Sequence, residues 1–156
     1  MIPTANIGCG DDAWGEIRVD NERKAAAVNV LADAQALPFR DLCFQDVHCI
    51  SVLEHIPNWI QAFREILRVS AYRVIIEVPV NSDLRKTEAF RLLLPTPSNL
   101  KLVFTTPQRA RATYWQFDPE KFLRYFSPEF HARAHKVIQV YHGMPSRCWR
   151  LEAFRY

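Results

Sequence analysis

A chain of 156 residues with 49% hydrophobic and 24% charged residues can build one ordinary globular core, so a single domain over residues 1–156 is expected. Its formal net charge of +3 allows an anionic partner without arguing for one. A membrane protein and a disulfide scaffold are not expected. No apolar run approaches the ~20 residues of a span, no cleavable leader precedes the first strand, and Cys9, Cys43, Cys49 and Cys148 form no C-x-x-C pair. The thiols read as reduced and mostly buried, which points to the cytoplasm.

In chain order, a strand over 4–7 runs into Gly8-Cys9-Gly10, and a second over 17–19 ends on Asp20. Glycines at the carboxyl end of a buried strand let backbone approach a ligand closely. An acidic residue closing the next strand can accept hydrogen bonds from a ribose diol. Only residues 11–16 separate the two, far fewer than a helical crossover needs. A third strand over 28–31 follows another short connection. One face at this edge of the sheet is therefore expected to be thinly covered, a candidate contact surface for a homodimer.

Residues 42–44 could form a short helical turn. The apolar run 46–53 reads as a central strand buried on both faces. Asn58 is placed to cap the next helix, with Gln61 three residues on to return the bond. Trp59, Ile60, Phe63, Ile66 and Leu67 recur at helical spacing. Residues 73–79 form a fifth strand closed by a proline. Ser82 or Asp83 can cap a helix carrying Leu84, Phe90, Leu93 and Leu94, which Pro95 stops. The proline-rich stretch that follows carries Lys101, Arg109 and Arg111 ahead of Tyr114 and Trp115. Residues 81–117 are the expected cover for a substrate, with Arg111, Tyr114 and Trp115 as candidate contacts. Asp118-Pro119 opens a helix burying Phe122, Leu123 and Phe126. Residues 137–141 and 148–154 alternate across Gly143-Met144-Pro145-Ser146 as an antiparallel hairpin. Four parallel-type strands, a helix and further strands favour an α/β sheet with its ligand at the carboxyl edge.

Ile7-Gly8-Cys9-Gly10, Val19-Asp20, the run from Ala32 through Leu37-Pro38-Phe39, and Ser51-Val52-Leu53-Glu54-His55-Ile56 stand in the order seen in class I S-adenosylmethionine-dependent methyltransferases. The resemblance covers roughly residues 4–80. It implies a Rossmann-like α/β fold, mostly parallel with an antiparallel last strand, in the order 3-2-1-4-5-7-6. The helix between strands 1 and 2 is reduced. By the same resemblance Gly8, Cys9 and Gly10 would pass beneath the methionine portion and ribose of S-adenosylmethionine, and Asp20 would take the ribose hydroxyls with Asn21 beside the adenine. Asp33 and Ala34 would hold the adenine edge. Ser51, Val52 and Leu53 would line the methionine side, and His55 would face the cleft. S-adenosylhomocysteine would be the product. No Asn/Asp-Pro-Pro-Tyr segment follows the fourth strand, so by resemblance an adenine or glutamine amide nitrogen is a poor acceptor. A small molecule is the favoured acceptor, and RNA the second.

Each chemical candidate has a plainer counterpart. His55 can act as a general base or bond nearby backbone at a helix entry; Glu54 can anchor that loop. Cys9 can be a nucleophile or a small thiol filling a glycine turn. Arg109, Arg111, Tyr114 and Trp115 suit single-stranded nucleic acid or a solvated basic loop whose aromatics pack inward. His131 and His135 have a metal-compatible spacing if helical, but no third ligand is evident, and no metal is expected. A nicotinamide dinucleotide would meet Asp11-Asp12 where its pyrophosphate needs a helix N-terminus. A cofactor-binding protein without catalysis is the remaining alternative.

Overall fold

The computed structural model describes residues 2–23, 25–80, 90–92, 115–141 and 144–156. A seven-stranded sheet has the order β3-β2-β1-β4-β5-β9-β8. Its strands are β1 (Ala5–Ile7), β2 (Ile17–Asp20), β3 (Val30–Leu31), β4 (Phe44–Ile50), β5 (Ser70–Pro79), β8 (Phe130–Tyr141) and β9 (Met144–Arg155). β1 to β5 are parallel, and β9 runs against both β5 and β8. This is the expected order and orientation. A separate antiparallel pair joins β6 (Phe90–Leu92) to β7 (Trp115–Phe117).

Strand alternation and register divide the sheet into two unlike faces. One face carries Ala5, Ile7, Val19, Val47, Cys49, Val74, Ile76, Leu151 and Ala153, all buried. Helix α1 (Trp59–Val69) lies against it through Trp59, Ala62, Phe63 and Ile66. Aromatic contacts then recruit β7 and α2 (Pro119–Phe122). Trp59 meets Phe117 at 5.1 Å and Phe122 at 5.2 Å between ring centroids, in edge-to-face geometry.

On the opposite face the register lines up charges. Arg73 donates to Asp46 at 3.0 and 3.2 Å, approaches Glu152 at 3.8 Å, and Arg133 bonds Glu152 at 2.8 Å. The ladder crosses β4, β5, β9 and β8. Glu77 is fully buried beside it, paired with Arg150 directly opposite at 2.5 Å and bonded by Gln139. At the β1 side, Trp14 lies flat on His48, with centroids 3.4 Å apart and planes 4° apart. Burial and the Arg73 charge push the His48 imidazole down to about 4, so the stacked ring is neutral.

That stack shows how residues 11–16 replace a crossover helix. Asp12 accepts from the Asn6 amide and from the Trp14 backbone N–H, both at 3.1 Å. Glu16 accepts from the backbone N–H and the hydroxyl of Thr4. Arg18 donates to the carbonyls of Gly15 and Ala27 at 2.9 and 2.7 Å. The loop is short because side chains, rather than a helix, satisfy its backbone.

Several local expectations are corrected. The fourth strand begins at Phe44, where a helical turn was expected, and ends at Ile50, because Ser51 adopts φ +53° and turns the chain. The third strand is only Val30–Leu31; before it, Asn29 bonds the Arg18 N–H and the Glu16 carbonyl with its side chain, at 2.7 and 2.8 Å. Asn58 makes no side-chain cap, and Gln61 reaches instead to the Gln35 carbonyl at 3.4 Å. The helix expected after Ser82 or Asp83 lies outside the described residues except at Phe90, which is in a strand. The terminal hairpin is about twice as long as its alternating segments suggest, and His131 and His135 sit on β8. Four residues apart on a strand is roughly 13 Å, too far to share an ion. Asp118 caps α2 as expected, accepting from the Glu120 and Lys121 N–H groups at 3.0 and 3.2 Å. The helix lasts one turn before a 3-10 turn, Leu123–Tyr125.

Among the described residues no helix is long and apolar enough to cross a membrane. The buried Glu77 yields a test: Arg150→Ala leaves its carboxylate uncompensated and should cost about 3 kcal/mol in denaturant unfolding. Glu77→Gln added to it should restore most of the loss.

Candidate functional site: a cleft at the carboxyl edge

The carboxyl ends of β1, β2, β3 and β4 converge on a cleft of about 280 Å³, close to the lower end of small-molecule sites. Ile7 and Gly8 form its floor, residues 19–22 and 32–35 one wall, and Val52 with residues 55–57 the other.

Gly8 sets the geometry of the floor. Its N–H donates to the Val19 carbonyl at 2.8 Å while its φ is +73°. A Cβ there would lie 2.7 Å from Val52 Cγ1 and closer still to Cγ2. Only glycine lets β1 and the turn after β4 meet so closely. Cys9 donates to the same carbonyl at 3.0 Å, and the Gly10 N–H reaches Asp20 Oδ2 at 2.9 Å. Asp20 Oδ1 accepts from the Glu22 N–H at 2.9 Å. The glycine loop and the acid after β2 are thus one hydrogen-bonded unit. Asp33 is held likewise, accepting from the Gln35 backbone at 2.8 Å and side chain at 3.2 Å.

Of the residues singled out from the sequence, Gly8, Asp20, Asn21, Asp33, Ala34, Val52 and His55 line the cleft. The lining does not include Cys9, Gly10, Ser51 or Leu53. Cys9 is buried in the loop, and burial together with the charge of Asp20 pushes its thiol up to about 11. It stays protonated, which disfavours the nucleophile. Leu53 is wholly inside the core, and the Ser51 N–H is committed to the Glu77 carbonyl at 2.9 Å. Trp115 spends its indole N–H on the carbonyls of Ile56 and Pro57, at 2.9 and 3.0 Å, and so ties β7 to the rim. Arg111 and Tyr114 lie outside the described residues.

Sequence reasoning did not single out Ile7, Val19, Glu22, Ala32, Gln35, Ile56 or Pro57 as site residues. All but Pro57 are next to a residue it did single out, so the signal was the neighbouring motif. Asp11 and Asp12 are not in the lining; Asp11 accepts from the Ala26 N–H at 3.0 Å, and Asp12 holds its own loop. Asp20, Glu22 and Asp33 give the cleft three carboxylates, and none of its described lining residues is lysine or arginine. Such a site suits a ligand with a diol, an amino group or a positive charge, and repels a pyrophosphate.

Residues 6–72 match the family model of a methyltransferase domain. No curated protein matches the chain in sequence. Among solved structures, it is similar to a SAM-dependent methyltransferase of Thermotoga maritima described as a possible histamine N-methyltransferase. The TM-score is 0.65 at 13% identity, over 98% of this chain and 82% of that one. A putative methyltransferase of Bacillus halodurans gives 0.60 at 12%, over 97% and 91%. Magnesium protoporphyrin IX methyltransferase of Synechocystis, with bound SAH, gives 0.58 at 17%, over 99% and 74%. The chain has the class I methyltransferase fold. Its cleft lies where that fold's sheet presents the carboxyl ends of its first strands.

Behind the second wall of this cleft is an unusual group. Glu54, in the 3-10 turn Leu53–His55, is 2% exposed, and its Oε2 has no hydrogen-bond partner. Desolvation pushes its carboxyl up to about 8.

Two outcomes test this geometry. Gly8→Ala must displace Val52 and strain the backbone, and should lower stability by about 2–4 kcal/mol. Gly10→Ala, whose Cβ would meet nothing within 4 Å, should cost about 1 kcal/mol. For Glu54, the unfolded chain loses its proton near pH 4.5, whereas the folded chain keeps it to about 8. Its contribution to folding therefore worsens as pH rises through that window. Glu54→Gln should raise the melting temperature at pH 8 by several degrees and change it little at pH 4.5.

Proposed function

We propose that the protein is an S-adenosylmethionine-dependent methyltransferase acting on a small-molecule acceptor. The observation that carries this reading is the glycine loop hydrogen-bonded to Asp20 at the floor of a carboxylate-lined cleft, on this fold. In this role Asp20 receives the ribose hydroxyls, its oxygens having lone pairs left beyond the two backbone N–H groups they accept. Asn21, Asp33 and Ala34 border the adenine. Gly8 and Val52 leave a narrow passage for the methionine portion, with Cys9, Gly10, Ser51 and Leu53 shaping it from behind. The bound cofactor supplies a methyl group on a positively charged sulfur. The chain positions donor and acceptor for an in-line displacement and excludes water. His55, on the wall, is placed to take a proton from an acceptor that must lose one.

The neighbour holding SAH supports both the cofactor and its demethylated product. The exposed Leu31 on edge strand β3 favours that edge as a self-contact, to be read by light scattering.

Calorimetric titration with S-adenosylmethionine, S-adenosylhomocysteine and NAD tests the assignment. Micromolar binding of the first two, none of NAD, and at least a tenfold loss in Asp20→Asn are expected. No binding to a folded protein would refute it. Binding without turnover on a broad panel of acceptors would mark a non-catalytic cofactor-binding protein.

A further inference from the structure

We infer that the acceptor carries an anionic group, a carboxylate or a phosphate, and that Lys136 and Arg147 of the terminal hairpin receive it. An anionic acceptor presupposes the methyl-transfer function proposed above. β9 runs against β5, so its first residues stand at the carboxyl edge of the sheet, the edge that holds the cleft. The Val80 N–H donates to the Arg147 carbonyl at 2.9 Å, which places Arg147 just past the end of β5. Register decides the side. Trp149 lies opposite both Val78 and Lys136, and Val78 is buried on the α1 face. Arg147 and Ile138, directly paired, alternate onto the same side.

The other arginines of the hairpin are spent. Arg133 pairs with Glu152 at 2.8 Å, Arg150 with the buried Glu77, and Arg155 with Glu129 at 3.3 Å. Among the described residues, Arg147 and Lys136 meet no carboxylate, and both are exposed. Glu152, the one acid in the hairpin sequence, lies on the opposite face. Lys136 is held by the Trp149 ring, its Nζ 5.1 Å from the centroid. Ile138 beside them is 72% exposed. A planar guanidinium and an ammonium over an aromatic face can together take a carboxylate or phosphate whose carrier lies on apolar surface.

The path back to the cleft is aromatic. Only β5 separates β9 from β4, a span of about 10 Å between strand axes. β7 packs on β5, and its half-buried Trp115 is tied to the rim carbonyls of Ile56 and Pro57. A small molecule held by the cations can therefore extend past Trp115 to the rim. The division of charge fits two different substrates. Asp20, Glu22 and Asp33 suit a donor with a positive sulfur and repel an anion, whose anchor has to stand outside the cleft.

NMR of protein with labelled arginine and tryptophan side chains, with and without S-adenosylhomocysteine, tests the site. Phenylbutyrate and phenyl phosphate should shift the Arg147, Trp149 and Trp115 signals in one titration, and neutral phenylbutanol should not. The tighter of the two anions names the group. The double variant Lys136→Gln, Arg147→Gln should weaken both anions about fivefold or more and leave S-adenosylhomocysteine affinity unchanged. An equal response to the alcohol, or anion affinity unmoved in the variant, would overturn the anion site. Shifts at Trp149 without Trp115 would overturn its acceptor role. A short oligouridylate that binds through the same signals far more tightly than either anion would overturn the small-molecule class in favour of nucleic acid. Anion binding without S-adenosylhomocysteine binding refutes the methyltransferase function alone, and the converse refutes the anion site alone.

Discussion

The close approach of Gly8 to Val52 is the contact on which the site depends. It fixes the end of β1 against the turn after β4, and both cleft walls take their position from it. On one side, the chain leaving Gly8 is bonded to Val19 and, two residues on, to Asp20, which aligns β2 and the acid. On the other, Val52 can reach Gly8 only because Ser51 breaks the strand with a left-handed backbone. Strain at Ser51 is tolerated because its N–H is held by the Glu77 carbonyl and its successors are locked in the core. The cleft is a consequence of two irregular residues at the ends of two regular strands.

A sheet built this way would usually need cover on both faces. Here one face is packed by α1 and the aromatic cluster, and the other is largely chemical. Charges placed at directly paired positions on β4, β5, β9 and β8 neutralise one another across strands, and Trp14 covers His48 where a crossover helix is missing. Among the described residues, the face opposite α1 is a polar surface with the buried ion pair Glu77–Arg150 at its centre.

This division explains what could be read from the chain alone. The strand order came from the resemblance of the motifs to a known family; the apolar runs announced the sheet and the terminal hairpin its antiparallel end, because buried strands must be apolar. The Asp118-Pro119 cap was legible for the same local reason. Ser51 was not, since nothing in its side chain signals a left-handed backbone; the strand was carried on through 53 by hydrophobicity that belongs to a turn. Asn58 looked like a cap by position, but it is exposed, and Gln61 found the Gln35 carbonyl across the interface. Tertiary contacts of that kind have no sequence period. Of the lining residues missed, Glu22, Gln35, Ile56 and Pro57 lie in connections whose course only the folded sheet decides.

The same turn decides the state of Glu54. Once Val52 is locked on Gly8, the tight turn sends Leu53 and Glu54 inward and brings His55 back to the cleft. A carboxyl in that place is desolvated by the fold's own geometry, and no described residue offers it a bond at Oε2. Packing alone does not call for an acid there, and ionisation weakens folding over the physiological pH range.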